Sequence, residues 1–148
     1  MLTNSVNLRR QWPLSSVVMA FNDLTDEQSA EARSAIADAS LASARLIATR
    51  HLVAGPAAAA GDADKATEVL VSRDAGDSRF ELLSAFEKPW SLLVLRLIAG
   101  VVTDPSPAVR DARERGATVA EIAATLGITE AAVYKRYADQ VVRKKRAK

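Results

Sequence analysis

From Thr118 to Gln140 the chain reads TVAEIAATLGITEAAVYKRYADQ, two short helical segments that meet at one glycine. No other stretch leaves the backbone so little choice. Thr118 and Glu121 stand at capping-box spacing, so a helix starts after Thr118. Gly127 ends it, because the turn that follows needs a positive φ. Thr129 caps a further helix that continues through Val133 and Tyr137 toward the terminal VVRKKRAK. Ile122, Ala123 and Leu126 are expected to face inward, with Ile128 and Val133 closing the wedge and Tyr137 covering its end. Ala123 must be small because the two helices cross closely beside it. Upstream, TDPSPAVRDARERGA predicts one more helix, with Ser106 as cap, Pro107 in its first position and Gly116 as its left-handed stop. Three short helices are therefore expected within residues 104–148.

The remainder constrains less. NDLTDEQ predicts a helix start with Thr25 as N-cap, Gln28 in the capping-box position, and Asp26 and Glu27 at the positive end of the dipole. That helix is expected to reach Leu52 or Val53, before Gly55-Pro56. Ala32, Ala35, Ile36, Ala39, Ala42, Leu46, Ile47 and Val53 share one face of it; Leu41, Ala44, Ala48 and Leu52 form a second stripe. Such a helix is either a central core element or shared with a second subunit. Ala54 to Ala66 reads as a linker or frayed end. TEVLVSRDAGDSRFELL then predicts a small β-hairpin over residues 67–84, Val69 and Val71 alternating on one side and Asp-Ala-Gly-Asp supplying the turn. Glu68–Ser72 is also compatible with the end of a helix. PWSLLVLRLIAG predicts a buried helix from Pro89 to Gly100. Residues 1–24 have no clear period.

The fold class expected is mainly α: a helical dimerisation or interaction region over residues 1–103 with its small hairpin, then a three-helix domain over 104–148 with a basic tail. Aromatic residues are only 5% of the 148, so Ala, Leu, Val and Ile must build the core. Without Cys and with a single His, disulfides, thiol catalysis and Cys/His zinc sites are excluded. The longest apolar run, Ser91 to Val102, carries Arg96 and is shorter than the roughly 20 residues of a membrane-spanning helix. No export signal is evident, and a soluble cytoplasmic, nucleoid-associated protein is expected. The net charge of +2 is unevenly placed. Residues 1–103 carry −2 and residues 104–148 carry +4, and between Lys135 and Lys148 seven cations face only Asp139. Such polarity favours a nucleic-acid partner.

VAEIAATLGITEAAVYKRYA resembles the helix-turn-helix of bacterial DNA-binding regulators, and GITEAAVYKRY is especially similar to the recognition helix of the tetracycline-repressor family. Ala123, Gly127, Ile128, Thr129, Val133, Tyr134 and Tyr137 carry the likeness, which covers residues 107–140. Sigma-factor-like and resolvase-type three-helix domains share much of the pattern. Here the motif is C-terminal rather than N-terminal, and Arg136 takes a place often held by an apolar residue, so no claim about a small-molecule effector, present or absent, carries over from the likeness. It implies that the last helix enters the major groove of double-stranded DNA, presenting Thr129, Glu130, Ala131, Tyr134 and Lys135 with Arg136 beside them. Lys135 would donate to guanine, Glu130 would accept from cytosine N4, and the Ala131 methyl would meet thymine. Glu130 is equally suited to complement the helix dipole, and Tyr134 to a phosphate contact or a half-covered rim position. Thr118 and Thr129 would bind phosphates through hydroxyl and backbone N–H, and Arg143, Lys144, Lys145 and Arg146 would add salt-sensitive backbone contacts.

Catalysis finds no constellation. His51 has no Ser or carboxylate at a diagnostic spacing. Asp62, Asp64, Asp74 and Asp77 lack a calcium-loop pattern, and no Gly-rich phosphate loop is present. Neither a metal nor any other cofactor is expected. Trp12 and Trp90 are expected to be core anchors. The expectation is thus a sequence-specific DNA-binding protein, a transcriptional repressor acting as a homodimer, of high-GC bacterial or phage character. Two alternatives use the same motif: a DNA-packaging, replication or recombination accessory protein of a phage or plasmid, and a protein-interaction module, such as one binding RNA polymerase, without DNA affinity.

Overall fold

The computed structural model describes residues 21–142, so the expectations for Trp12 and for Arg143, Lys144, Lys145 and Arg146 lie outside the described residues. The chain divides into two compact units, Met1–Ile36 and Ala37–Lys148. Among the described residues there are seven α-helices and no strand: α1 (Asp26–Val53), α2 (Ala63–Ser72), α3 (Phe80–Ser84), α4 (Glu87–Ala99), α5 (Ser106–Glu114), α6 (Val119–Leu126) and α7 (Glu130–Val141).

α1 starts as its capping box predicts. Gln28 N–H donates to Thr25 Oγ1 at 3.1 Å, and Thr25 N–H donates to Gln28 Oε1 at 3.0 Å. Of its two apolar stripes, the second is packed. Ala44 and Ala48 are buried, and Leu41 and Leu52 pack against the core. Ile36 and Ile47, on the first stripe, stay exposed at 65% and 51%. Ala54–Ala66 is not a linker: Ala57, Ala60 and Ala66 are buried, with a 3-10 turn at Ala58–Ala60 between them. Small side chains there permit close approach rather than looseness.

The expected hairpin is absent, and the reason is visible in the spacing of its residues. Asp62 accepts from the N–H groups of Asp64 and Lys65 and starts α2. Ala66, Val69 and Leu70 then fall at i, i+3 and i+4 and bury one helical face, whereas Val71 is 42% exposed. Asp74 and Asp77, read as hairpin-turn residues, instead accept from Gly76 N–H and Arg79 N–H in two successive local turns leading into α3. The helical end of Glu68–Ser72 prevails because a helix buries three apolar side chains where a two-residue alternation would bury Val69 and Val71 alone.

α4 begins at Glu87, two residues before Pro89, and buries Trp90, Val94, Leu95 and Ile98. It packs against both α5 and α6, while α5 packs on α6 and α7, and α6 on α7. Ser106 does not cap α5. Its N–H and hydroxyl both donate to Asp104 Oδ1, so the carboxylate two residues earlier closes the turn, with Pro107 in the first turn of the helix.

Candidate nucleic-acid interface

α5, α6 and α7 are joined by two tight stops of the same kind. Ala117 N–H donates to Ala112 O at 2.9 Å around Gly116, and Ile128 N–H donates to Ala123 O at 3.1 Å around Gly127. Both glycines take positive φ, +102° and +69°, which closes each helix end without a Cβ penalty. Ile122 and Val133 are fully buried, Ala123 is 4% exposed, and Leu126, Ile128 and Tyr137 pack against the same core. These are the wedge residues expected from the sequence.

The capping box of α6 forms in both directions. Glu121 N–H donates to Thr118 Oγ1 at 3.1 Å, and Thr118 N–H donates to a Glu121 carboxylate oxygen at 2.8 Å. Lys88 Nζ lies 3.1 Å from the other carboxylate oxygen. The Thr118 N–H and the Lys88 ammonium hold the Glu121 carboxyl below the ordinary glutamate value. The Thr118 amide expected to face a phosphate is therefore already satisfied by a carboxylate, which leaves the hydroxyl hydrogen as its free donor. At the start of α7, Thr129 Oγ1 accepts from Ala132 N–H at 3.1 Å and no acidic side chain covers the Thr129 amide in this way.

α7 has two well-separated faces. Val133 and Val141 are buried, with Tyr137 half-buried between them. Ala131, Tyr134, Lys135 and Ala138, at i, i+3, i+4 and i+7, form an exposed stripe, with Glu130 and Arg136 exposed on its flanks. Tyr134, which the sequence leaves between two roles, is 50% exposed. Thr118 and Thr129 are exposed as well, so all seven described residues expected to meet DNA reach the surface. On the described part of α7, Lys135 and Arg136 are balanced by Glu130 and Asp139.

Two arginines not singled out from the sequence organise this region. Arg115 is buried under α4, its side chain only 2% exposed. Its Nε is 2.9 Å from Asp111 Oδ1, and its Nη1 is 3.3 Å from Glu87 Oε2. Arg113 donates to two backbone carbonyls, Val141 O at 3.1 Å and Ala117 O at 3.0 Å. The four-residue spacing of Asp111 and Arg115 was visible as a helical ion pair; the partners on α4 and α7 were not.

Elsewhere, an apolar groove of about 380 Å³ lies between α1 and α4, and of its eight lining residues only His51 ionises. Among the described residues no group of three or more metal-ligating side chains occurs, and no helix is long and apolar enough to cross a membrane. No protein-family model, curated protein or solved structure matches the chain.

Proposed function

We propose that α5–α7 is a helix-turn-helix unit binding double-stranded DNA, with α7 in the major groove, and that the protein is a transcriptional regulator of the repressor type. One observation carries this reading: α7 is held from behind by Val133, Tyr137 and Val141 while Ala131, Tyr134 and Lys135 stand free on its outer face. That face offers a lysine, a tyrosine and a small apolar side chain within two turns of a capped N-terminus, the side-chain types that base-edge and phosphate contacts use. Lys135 is assigned to guanine acceptors, the Ala131 methyl to thymine, Glu130 to cytosine N4 or to the helix dipole, and Tyr134 to the groove wall. Thr129 positions the helix end on a phosphate through its hydroxyl hydrogen and first-turn amides.

Because the charges on the described part of α7 cancel, sequence-independent affinity rests on Arg143, Lys144, Lys145 and Arg146. A single helix reads only a few base pairs, so a homodimer is proposed. The exposed apolar side chains Ile36 and Ile47 on α1 support a second protomer there.

Selection of bound sequences from a random duplex library tests the assignment. Lys135→Ala and Tyr134→Ala are expected to flatten the base preference, Lys135→Ala by about 1–3 kcal/mol at one position. A wild-type protein that gives no complex at low salt rules out DNA binding. An unchanged preference in Lys135→Ala moves base reading away from α7.

A further inference from the structure

α1 and α4 flank a groove that no side chain fills. Phe86, Pro89, Trp90 and Leu93 stand at i, i+3, i+4 and i+7, a stripe running along α4 from its cap. Facing it, α1 offers His51, Leu52 and Ala48, the last only 1% exposed. An alanine at that position leaves about 380 Å³ open between the larger side chains, a volume within the range of small-molecule pockets. The walls are fixed in advance. Trp90 is held through its indole N–H by Thr49 Oγ1 at 3.0 Å, and the Arg115 guanidinium lies 4.9 Å from the ring centre. Pro56 and Pro89 carry a locked φ. A preformed groove costs little ordering when something enters it.

We infer that this groove is a binding site for a small, uncharged, polycyclic aromatic molecule that carries a hydrogen-bond acceptor at one end. The site goes beyond DNA binding and does not depend on it. Each part of the ligand answers a feature of the lining. The rings of Phe86 and Trp90, with the flat prolines beside them, favour a planar apolar body. Only His51 among the lining residues ionises, and its imidazole has an N–H to donate whether neutral or protonated, so an acceptor at that end is matched. A cation would find no carboxylate in the lining. An anion would meet the negative end of the α1 dipole, because the helix stops at Val53, two residues beyond His51. A peptide strand would leave its amides unpaired against an almost wholly apolar lining. A stable protein interface takes roughly 20–30 residues a side, against the eight that line the groove.

The test is a methyl-detected NMR titration of the full chain with acetylnaphthalene, a flat ketone. The Leu52 and Leu93 methyl signals are expected to shift saturably, with half-saturation at about a millimolar or below. Ile36 and Val101, exposed at 65% and 71%, are expected to stay unmoved. His51→Phe, at an exposed position, keeps an aromatic ring and removes the donor. It is expected to weaken the ketone about three- to tenfold, and to leave the shifts caused by an equal concentration of naphthalene unchanged. Naphthoate, the same body with a charge, is expected to bind at least about tenfold more weakly than the ketone. Leu93→Trp fills the groove and is expected to abolish the shift at Leu52; if that variant does not fold, Leu52→Phe takes its place, read at Leu93. Absent shifts in the wild type, or equal shifts at Ile36 and Val101, overturn the inference, as does naphthoate bound as tightly as the ketone. A ketone affinity unaltered in His51→Phe, or a loss shared equally with naphthalene, overturns the match between His51 and the acceptor. Leu52 and Leu93 signals that move on dilution without any probe mean that a second copy of the chain covers the groove, and this too overturns the inference.

Discussion

The guanidinium carbon of Arg115 lies 4.9 Å from the centre of the Trp90 ring, a cation over an indole face where α4 meets the end of α5. Each partner is held by others. Trp90 Nε1 donates to Thr49 Oγ1 at 3.0 Å, and the Thr49 hydroxyl donates to the Arg45 carbonyl at 2.8 Å. Glu87 pairs with both Arg115 and Arg73. The chain of contacts runs from α1 through α4 to α5, so the three-helix unit is fastened to the preceding helices rather than appended to them.

Arg115→Met is accordingly expected to be among the costlier substitutions. It leaves Asp111 without its cation and Glu87 with Arg73 alone, and each carboxylate is still about one-sixth exposed to water. We expect a loss of about 2–4 kcal/mol, the low side of a broken buried pair. Chemical denaturation monitored by the helical circular dichroism signal measures it. A loss below about 0.5 kcal/mol, the scale of an ordinary surface change, would show that Arg115 is not an anchor.

Glu121 predicts an acid-labile contribution. Its carboxyl titrates below the ordinary value of 4.5 because the Thr118 N–H and then Lys88 favour the ionised form. A depressed folded-state value means that the stabilisation is complete above the unfolded value and disappears as pH falls through the folded one. Glu121→Gln should therefore be less stable than wild type near about pH 7, with the gap closing as pH falls from neutral through the acid range below 4.5. Thermal midpoints across that range decide the matter, and a gap that stays constant would remove the charge from the account.

Val69 and Val71 separate helix from strand at α2. In the helix Val69 is 4% exposed and Val71 42%. Val69→Ala is expected to cost about 1–3 kcal/mol through lost burial and the cavity left behind. Val71→Ala should lie within about 0.5 kcal/mol of wild type, since Ala also has the better helix propensity. In a two-residue alternation the side chains share a face, so equal losses from the two substitutions would contradict α2.

What could be read in sequence was what depends on neighbours within one or two turns. The capping box at Thr118 and Glu121, the positive-φ stop at Gly127, the Thr25–Gln28 start of α1 and the inward set Ile122, Ala123 and Val133 are all local, because each is written in hydrogen bonds or in a 3.6-residue spacing. Ala131, Tyr134 and Lys135 were expected together from the resemblance to helix-turn-helix regulators, and they share the outer face of α7. Local pattern failed where two local answers competed. Val69 and Val71 alternate as in a strand, yet Ala66, Val69 and Leu70 also fit a helix, and only the core that receives them decides between the two. Likewise the stripe of α1 that packs was set by its neighbours. The reach of Arg115 to Trp90 and Glu87, and of Arg113 to Val141, joins positions some 25 or more residues apart. No spacing rule encodes such pairs, because they exist only once the helices have packed and left a half-buried carboxylate, a ring face and an orphan carbonyl within a guanidinium's length.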